Sequence, residues 1–175
     1  VAGRPLVKRY TENLEAYNLF LRGRHCVLRD TAESLAKGKE YLEQAIALDA
    51  NYALAYAGMA EYYAESAFSG FMDPKEALAK AKSAAMAALS RDNTLAEAHA
   101  LLGTARGMGD FDWVGAEWEF RRALELNPVS SMARYHYGFY CLQPMGRLEE
   151  AWSEARRALE LDPLSPTHNV CLGYL

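Results

Sequence analysis

Apolar residues recur at three- and four-residue steps along most of the chain, and no stretch alternates apolar with polar at the period of a strand. Trp113, Ala116, Phe120, Ala123 and Leu124 trace one face of a 3.6-residue helix, with charged residues on the opposite side. Pro128 and Pro163 stop two such runs, and Ser165-Pro166 supplies an N-cap and a first-turn proline for another. Asp30-x-x-Glu33 and Asp73-Pro74-x-Glu76 read as capping-box-like starts. The pattern predicts helices over 12–27, 31–48, 52–67, 74–90, 95–108, 112–126, 131–143, 147–161 and 166–175.

The helices come in copies. RRALELNPVS (Arg121 to Ser130) returns as RRALELDPLS (Arg156 to Ser165), 35 positions on, with only Asn127/Asp162 and Val129/Leu164 differing. The offset extends to Gly103, Gly138 and Gly173 and to Ala116 and Ala151, and AALSRDN and QAIALDA are looser versions upstream. A fixed period of this size marks a stack of helix pairs, each too small to bury its own apolar face. Copy two is expected to carry an irregular loop at Ser66 to Asp73, about ten residues longer than its counterparts.

These residues resemble the tetratricopeptide repeat. Its pattern of a large residue and Leu-Gly, then Ala, aromatic, Ala and Pro, is carried by Leu102-Gly103, Ala116, Phe120, Ala123 and Pro128 in copy three. Copy four has Tyr137-Gly138, Ala151, Ala155, Ala158 and Pro163, and copy two has Ala57-Gly58, Ala81, Ala88 and Asn93. Copy one departs furthest, with Phe20-Leu21 in the Leu-Gly slot and Gly38 in the first Ala slot. The resemblance implies an all-α, right-handed superhelical solenoid of antiparallel helix pairs. Its expected divisions are a lead-in over 1–11, pairs over 12–50, 51–93, 94–129 and 130–164, and the first helix of a fifth repeat over 165–175. The stretches NLEAYNLFLRGRH, NYALAYAGMAEYYA and DFDWVGAEWEFRRALELNP are also similar to arrays attached to bacterial signalling proteins: serine/threonine kinases, adenylate cyclases and winged-helix regulators.

Composition narrows the function classes. The net charge of −4 is spread along the chain, and the Arg121-Arg122 and Arg156-Arg157 doublets are balanced by neighbouring glutamates, which argues against nucleic acid. No apolar run reaches the roughly 20 residues a spanning helix needs, so direct membrane insertion is not expected. The first residue is Val1 and no leader pattern follows, so the chain reads as a piece of a larger cytoplasmic protein, or a periplasmic one if a transmembrane helix precedes it. Cys26, Cys141 and Cys171 form no CxxC pair.

Catalytic signatures are missing: the chain has no HExxH, Walker A, GxSxG or kinase motif. The glycines of GTARGMGD follow no strand, so they fit helix crossing better than phosphate binding. His136 lies near Cys141 in sequence, with Cys171 in the next copy, but buried thiols filling a helical core are the better reading than a metal or nucleophile. No enzyme, metal or cofactor is expected.

The resemblance implies that the first helix of each pair lines a concave groove. Aligning the copies assigns that groove Asn18, Arg22 and His25, then Tyr56, Met59 and Tyr62, then Leu101 and Thr104, then Tyr135, His136 and Phe139. Tyr56 and Leu101 do not suit the clamp that grips terminal carboxylates of chaperone tails, so an aromatic groove for a protein or peptide segment is expected instead. The expected role is a protein-interaction module within a bacterial signalling protein. The alternatives are a scaffold that associates through its repeat ends, including the apolar Val170, Leu172, Tyr174 and Leu175, and a small-molecule sensor using the Ser66–Asp73 insertion.

Overall fold

The computed structural model describes residues 10–29 and 31–165, all helix and connections. The expected ninth helix, the apolar C-terminal edge, His168 and Cys171 lie outside the described residues. The helices are α1 (Leu14–Val27), α2 (Ala32–Leu48), α3 (Ala53–Phe68), α4 (Pro74–Arg91), α5 (Ala96–Asp110), α6 (Trp113–Leu126), α7 (Ser131–Tyr137) and α8 (Leu148–Leu161). A π-helical turn, Gly138–Leu142, continues α7.

Local chemistry sets most of these boundaries. Asp73 caps α4 by accepting from the Glu76 N–H, with Pro74 in the first turn, and Asp112 and Ser130 cap α6 and α7 the same way. For α2 the cap is one residue later than expected. Thr31 and Ser34 cap each other reciprocally, so a hydroxyl fills the role assigned to Glu33. The α5–α6 link is only Phe111 and Asp112, and Phe111 is forced into the left-handed region at φ 58°.

Helices pair as α1/α2, α3/α4, α5/α6 and α7/α8, and the first members α1, α3, α5 and α7 also pack side by side in sequence order. The result is the expected solenoid. Its core is mostly alanine: Ala81, Ala85 and Ala88 of α4 and Ala116 and Ala123 of α6 are fully buried. Phe120 fills the space between α5 and α6 and stacks on Tyr137 of the next pair, at 5.5 Å between ring centroids.

The crossing points correct the copy alignment. A Cβ on Gly103 would lie 3.0 Å from the Phe120 ring, and one on Gly138 would lie 2.9 Å from the Ala151 carbonyl oxygen. In the first pair the equivalent close approach is Gly23, whose Cβ would meet Leu42 at 2.8 Å and the Gly38 carbonyl at 3.1 Å. Copy one therefore keeps its crossing glycine three residues after Phe20. Gly58, by contrast, faces Leu42 and Phe20 of the preceding pair. Because Tyr52 and Leu95 stand at matching N-caps, Ala60 takes the crossing position of copy two.

The same shift explains the loop. The link after α3 is Ser69–Asp73, not a connection ten residues longer than its counterparts. The inserted residues are absorbed mainly by α4, which starts seven residues before Ala81, whereas α6 starts three before Ala116. Backbone amides are satisfied more cheaply by extending a capped helix than in a loose loop.

Candidate functional site

The residue after each crossing position faces the inner side of the stack. Those residues are Arg24, Glu61, Thr104 and Phe139, and charge links them across helices. Arg24 Nε lies 3.8 Å from Glu61 Oε2, and its Nη1 lies 3.4 Å from Glu97 Oε1. Three first helices are thus tied by one arginine. The Arg24 side chain is 37% exposed and the Glu97 side chain 32%, while Glu61 is only 13% exposed. Burial pushes the Glu61 carboxyl up to about 7, with Arg24 pulling it down and Glu97 pushing it up. Beside the trio, Tyr10, Arg24, Leu54, Glu97 and Leu126 border a hollow of about 320 Å3. Tyr17 on α1 and Leu28, the residue that caps its C-terminus, lie on the Arg24 side of the helix and are exposed.

The other half of this inner surface is filled by the chain itself. Phe68 at the end of α3 stacks flat on Tyr140 of the π-helical turn, with centroids 4.5 Å apart and planes 7° apart. Tyr140 also meets Tyr135, His136 and Phe139 edge-on. Thr104, on α5 between those two elements, is fully buried and hydrogen-bonded to His136 Nδ1 at 2.9 Å. The π-helical turn shifts Tyr140 relative to an unbroken helix, and the longer α3 brings Phe68 to meet it.

The expected groove residues therefore separate into three groups. Thr104 and Phe139 belong to the inner row. Met59 and Tyr62 pack into the first core cluster and Leu101 into the second, while Tyr135 is buried with Ala158 of its own pair and His136 against Thr104 of the preceding one. Asn18, Arg22 and His25 are exposed on α1, but about 100–160° around the helix from Arg24, facing away from the core. Tyr56 stands apart: the Arg91 guanidinium lies 3.7 Å over its ring and donates to its hydroxyl at 2.9 Å. Glu61 escaped sequence reading because Gly58, not Ala60, was taken as the crossing residue, and Arg24 because Leu21, not Gly23, was. The capping frame finds Glu61, since Ala60 follows the N-cap Tyr52 by the same eight residues that separate Leu95 from Gly103; it does not find Arg24.

Elsewhere the charged groups are structural. Glu117 accepts from Arg121, Tyr137 and Arg147; burial pushes its carboxyl up, but these donors outweigh burial and hold it below its usual range. Glu154 pairs with Arg134 at 2.7 Å rather than with Arg157, which meets Glu160. His136 does not join Cys141. Burial raises the Cys141 thiol to about 11, and its Sγ lies against Trp113 and Met145. Among the described residues no group of three histidines, cysteines or carboxylates is placed to hold a metal, and no helix is long and apolar enough to cross a membrane.

Paired helices crossing at small residues around an alanine-rich core define the tetratricopeptide-repeat fold, and the chain has that fold. The tetratricopeptide protein TTC0263 of Thermus thermophilus superimposes with a TM-score of 0.73 over 92% of this chain and 81% of that one, at 20% identity. YrrB, described as a TPR protein with an unusual peptide-binding site, gives a TM-score of 0.50 over 95% of this chain and 81% of its own, at 24% identity. In sequence, the chain is 30% identical over 151 residues to the transcriptional regulator HilA of Salmonella typhimurium, and 29% to that of Salmonella paratyphi A. The match takes in 86% of this chain but spans 27% of the regulator's length. No protein-family model matches the chain.

Proposed function

We propose that this chain is a non-catalytic protein-interaction arm of a larger regulatory protein, binding a segment of a partner along the open half of its inner surface. The observation that carries this is the hollow of about 320 Å3 bordered by Arg24, Leu54 and Glu97, with exposed Tyr17 and Leu28 on the Arg24 side of the first helix. Walls that mix apolar side chains such as Leu54 and Leu126 with polar ones such as Arg24, Thr94, Glu97 and Asn127 suit a peptide segment. The likeness to HilA supports placing such an arm in a regulatory protein, and the peptide-binding description of YrrB supports the ligand class.

The test is selection of a displayed random-peptide library on the full chain, followed by affinities for wild type and the Tyr17→Ala/Leu28→Ala variant. Both side chains are exposed, so the variant is expected to stay folded and to bind selected peptides at least tenfold more weakly. Equal affinities would place the contacts elsewhere and overturn the reading.

A scaffold role through the repeat ends is the second reading. Its support is Leu14, 77% exposed, and Leu21, 45% exposed, on the first helix of the stack. Sedimentation would then show mass rising with concentration, and Leu14→Glu would abolish the rise.

A further inference from the structure

Among the described residues, the least exposed carboxylates are, with one exception, well hydrogen-bonded. Glu119 contacts His99 at 2.7 Å and Arg106 at 3.2 Å, Glu117 accepts from three side chains, and Glu154 accepts from Arg134 at 2.7 Å. Glu61 is the exception. Its side chain is 13% exposed, it accepts no hydrogen bond among the described residues, and its nearest cation, Arg24, stands 3.8 Å away with its Nη1 turned to Glu97. A carboxylate screened from most water and given no protein donor is costly, and the fold has satisfied comparable groups on neighbouring helices. Glu61 keeps some exposure, so a donor carried by a bound segment can reach it.

We propose that Glu61, with Glu97 beside it, is the receiving site for one basic side chain, lysine or arginine, of the segment that the inner surface binds. Charge balance selects this occupant. Arg24, Glu61 and Glu97 together carry one net negative charge when ionised, and one added cation brings the cluster to neutrality. An anionic side chain would meet two carboxylates, and an apolar one would leave Glu61 unbonded. Around the charge, Leu54 faces inward seven residues before Glu61 on α3, and Tyr17 and Leu28 lie on the Arg24 side of the first helix, so the bound segment carries apolar residues beside its basic one.

Binding of a cation also draws Glu61 into its ionised form. Arg24 on α1 and Glu97 on α5 are the charged groups facing it from the flanking helices, with Glu65 one turn along α3 itself. With the free carboxyl at about 7, affinity rises roughly tenfold from pH 6 to pH 8 as the competing proton is lost.

The inference rests on the inner-surface reading above, and the experiment separates the two. Peptides selected from the random library on the full chain are resynthesised with each arginine replaced by citrulline and each lysine by norleucine. Affinities are measured at pH 6 and pH 8 for wild type and Glu61→Gln. The expected result is a loss of at least tenfold on removing one basic side chain in wild type, a much smaller loss in Glu61→Gln, and a pH dependence confined to wild type. Peptides that weaken on Tyr17→Ala/Leu28→Ala but show no basic preference, or the same preference in Glu61→Gln, overturn the assignment of Glu61 and leave the inner surface as the binding site. Selected peptides insensitive to every one of these substitutions overturn both. Glu61→Gln keeps side-chain volume, and its thermal melt verifies folding.

Discussion

The hydroxyl of Tyr52 is a single atom with a measurable cost. Tyr52 is fully buried against Phe20, at 5.4 Å between ring centroids, and its oxygen has no hydrogen-bond partner among the described residues. Burial pushes the phenol far above its usual range. The ring packs the joint between the first two pairs while the hydroxyl loses its water without replacement. Tyr52→Phe is therefore expected to stabilise the chain by about 1 kcal/mol, read as a higher urea midpoint at unchanged slope. The reverse holds at Glu119, where both ring nitrogens of His99 face acceptors, Glu119 and the Asn93 carbonyl, and Arg106 closes the cluster. Glu119→Ala leaves one ring nitrogen of buried His99 without its partner and leaves Arg106 with Asp112 alone, at 3.6 Å, for an expected loss of about 3 kcal/mol in the same urea measurement.

At the scale of helices, the contact that departs most from simple repetition is the stack of Phe68 on Tyr140, which joins α3 to the fourth pair across α5. A double-mutant cycle of Phe68→Ala and Tyr140→Ala should give a coupling of about 0.5–1.5 kcal/mol, and additive losses would show that the rings contribute only burial. This contact also marks the limit of what the sequence told. Helix existence and pairing were legible because Phe120 must meet Gly103, and Ala116 must meet Gly107, at a fixed spacing, and that spacing is written in the chain. Copy one's glycine was not, since Gly23 and Gly38 meet backbone to backbone, an arrangement outside the Leu-Gly pattern. The extra turn of α4 was hidden because residues of an insertion do not declare whether they extend a helix or a loop. Of the eleven expected groove residues, Thr104 and Phe139 reach the inner row, and the aromatics taken for ligand anchors are largely spent filling the stack. Nothing in a one-dimensional pattern distinguishes a tyrosine that packs between copies from one that waits for a partner.

For the whole molecule, the inner-surface charge cluster sets a pH dependence that opposes the usual one. Glu61 has its folded-state carboxyl at about 7, above the ordinary glutamate value near 4.5 that the unfolded chain would show. Between those limits the folded chain holds a proton that the unfolded chain releases, so stability falls as pH rises, by at most about 3 kcal/mol in all. Above pH 7 the loss is complete; below about 4.5 both states are protonated and Glu61 contributes no cost. Glu117 and Glu150 act in the opposite sense, because arginines hold their carboxyls low, and that stability disappears as pH falls through the acid range. The two effects occupy different windows. Subtracting the urea stability of wild type from that of Glu61→Gln isolates the first: the difference should be near zero or slightly negative at pH 4.5 and should grow in favour of the glutamine variant up to pH 7 to 8. A difference independent of pH would mean that Arg24 offsets both burial and Glu97 and leaves the folded Glu61 carboxyl at its ordinary value, and that the strain assigned to the inner surface is absent. A growing difference would show a fold carrying a destabilised carboxylate at neutral pH on its open surface, where a cationic partner would relieve the cost on binding.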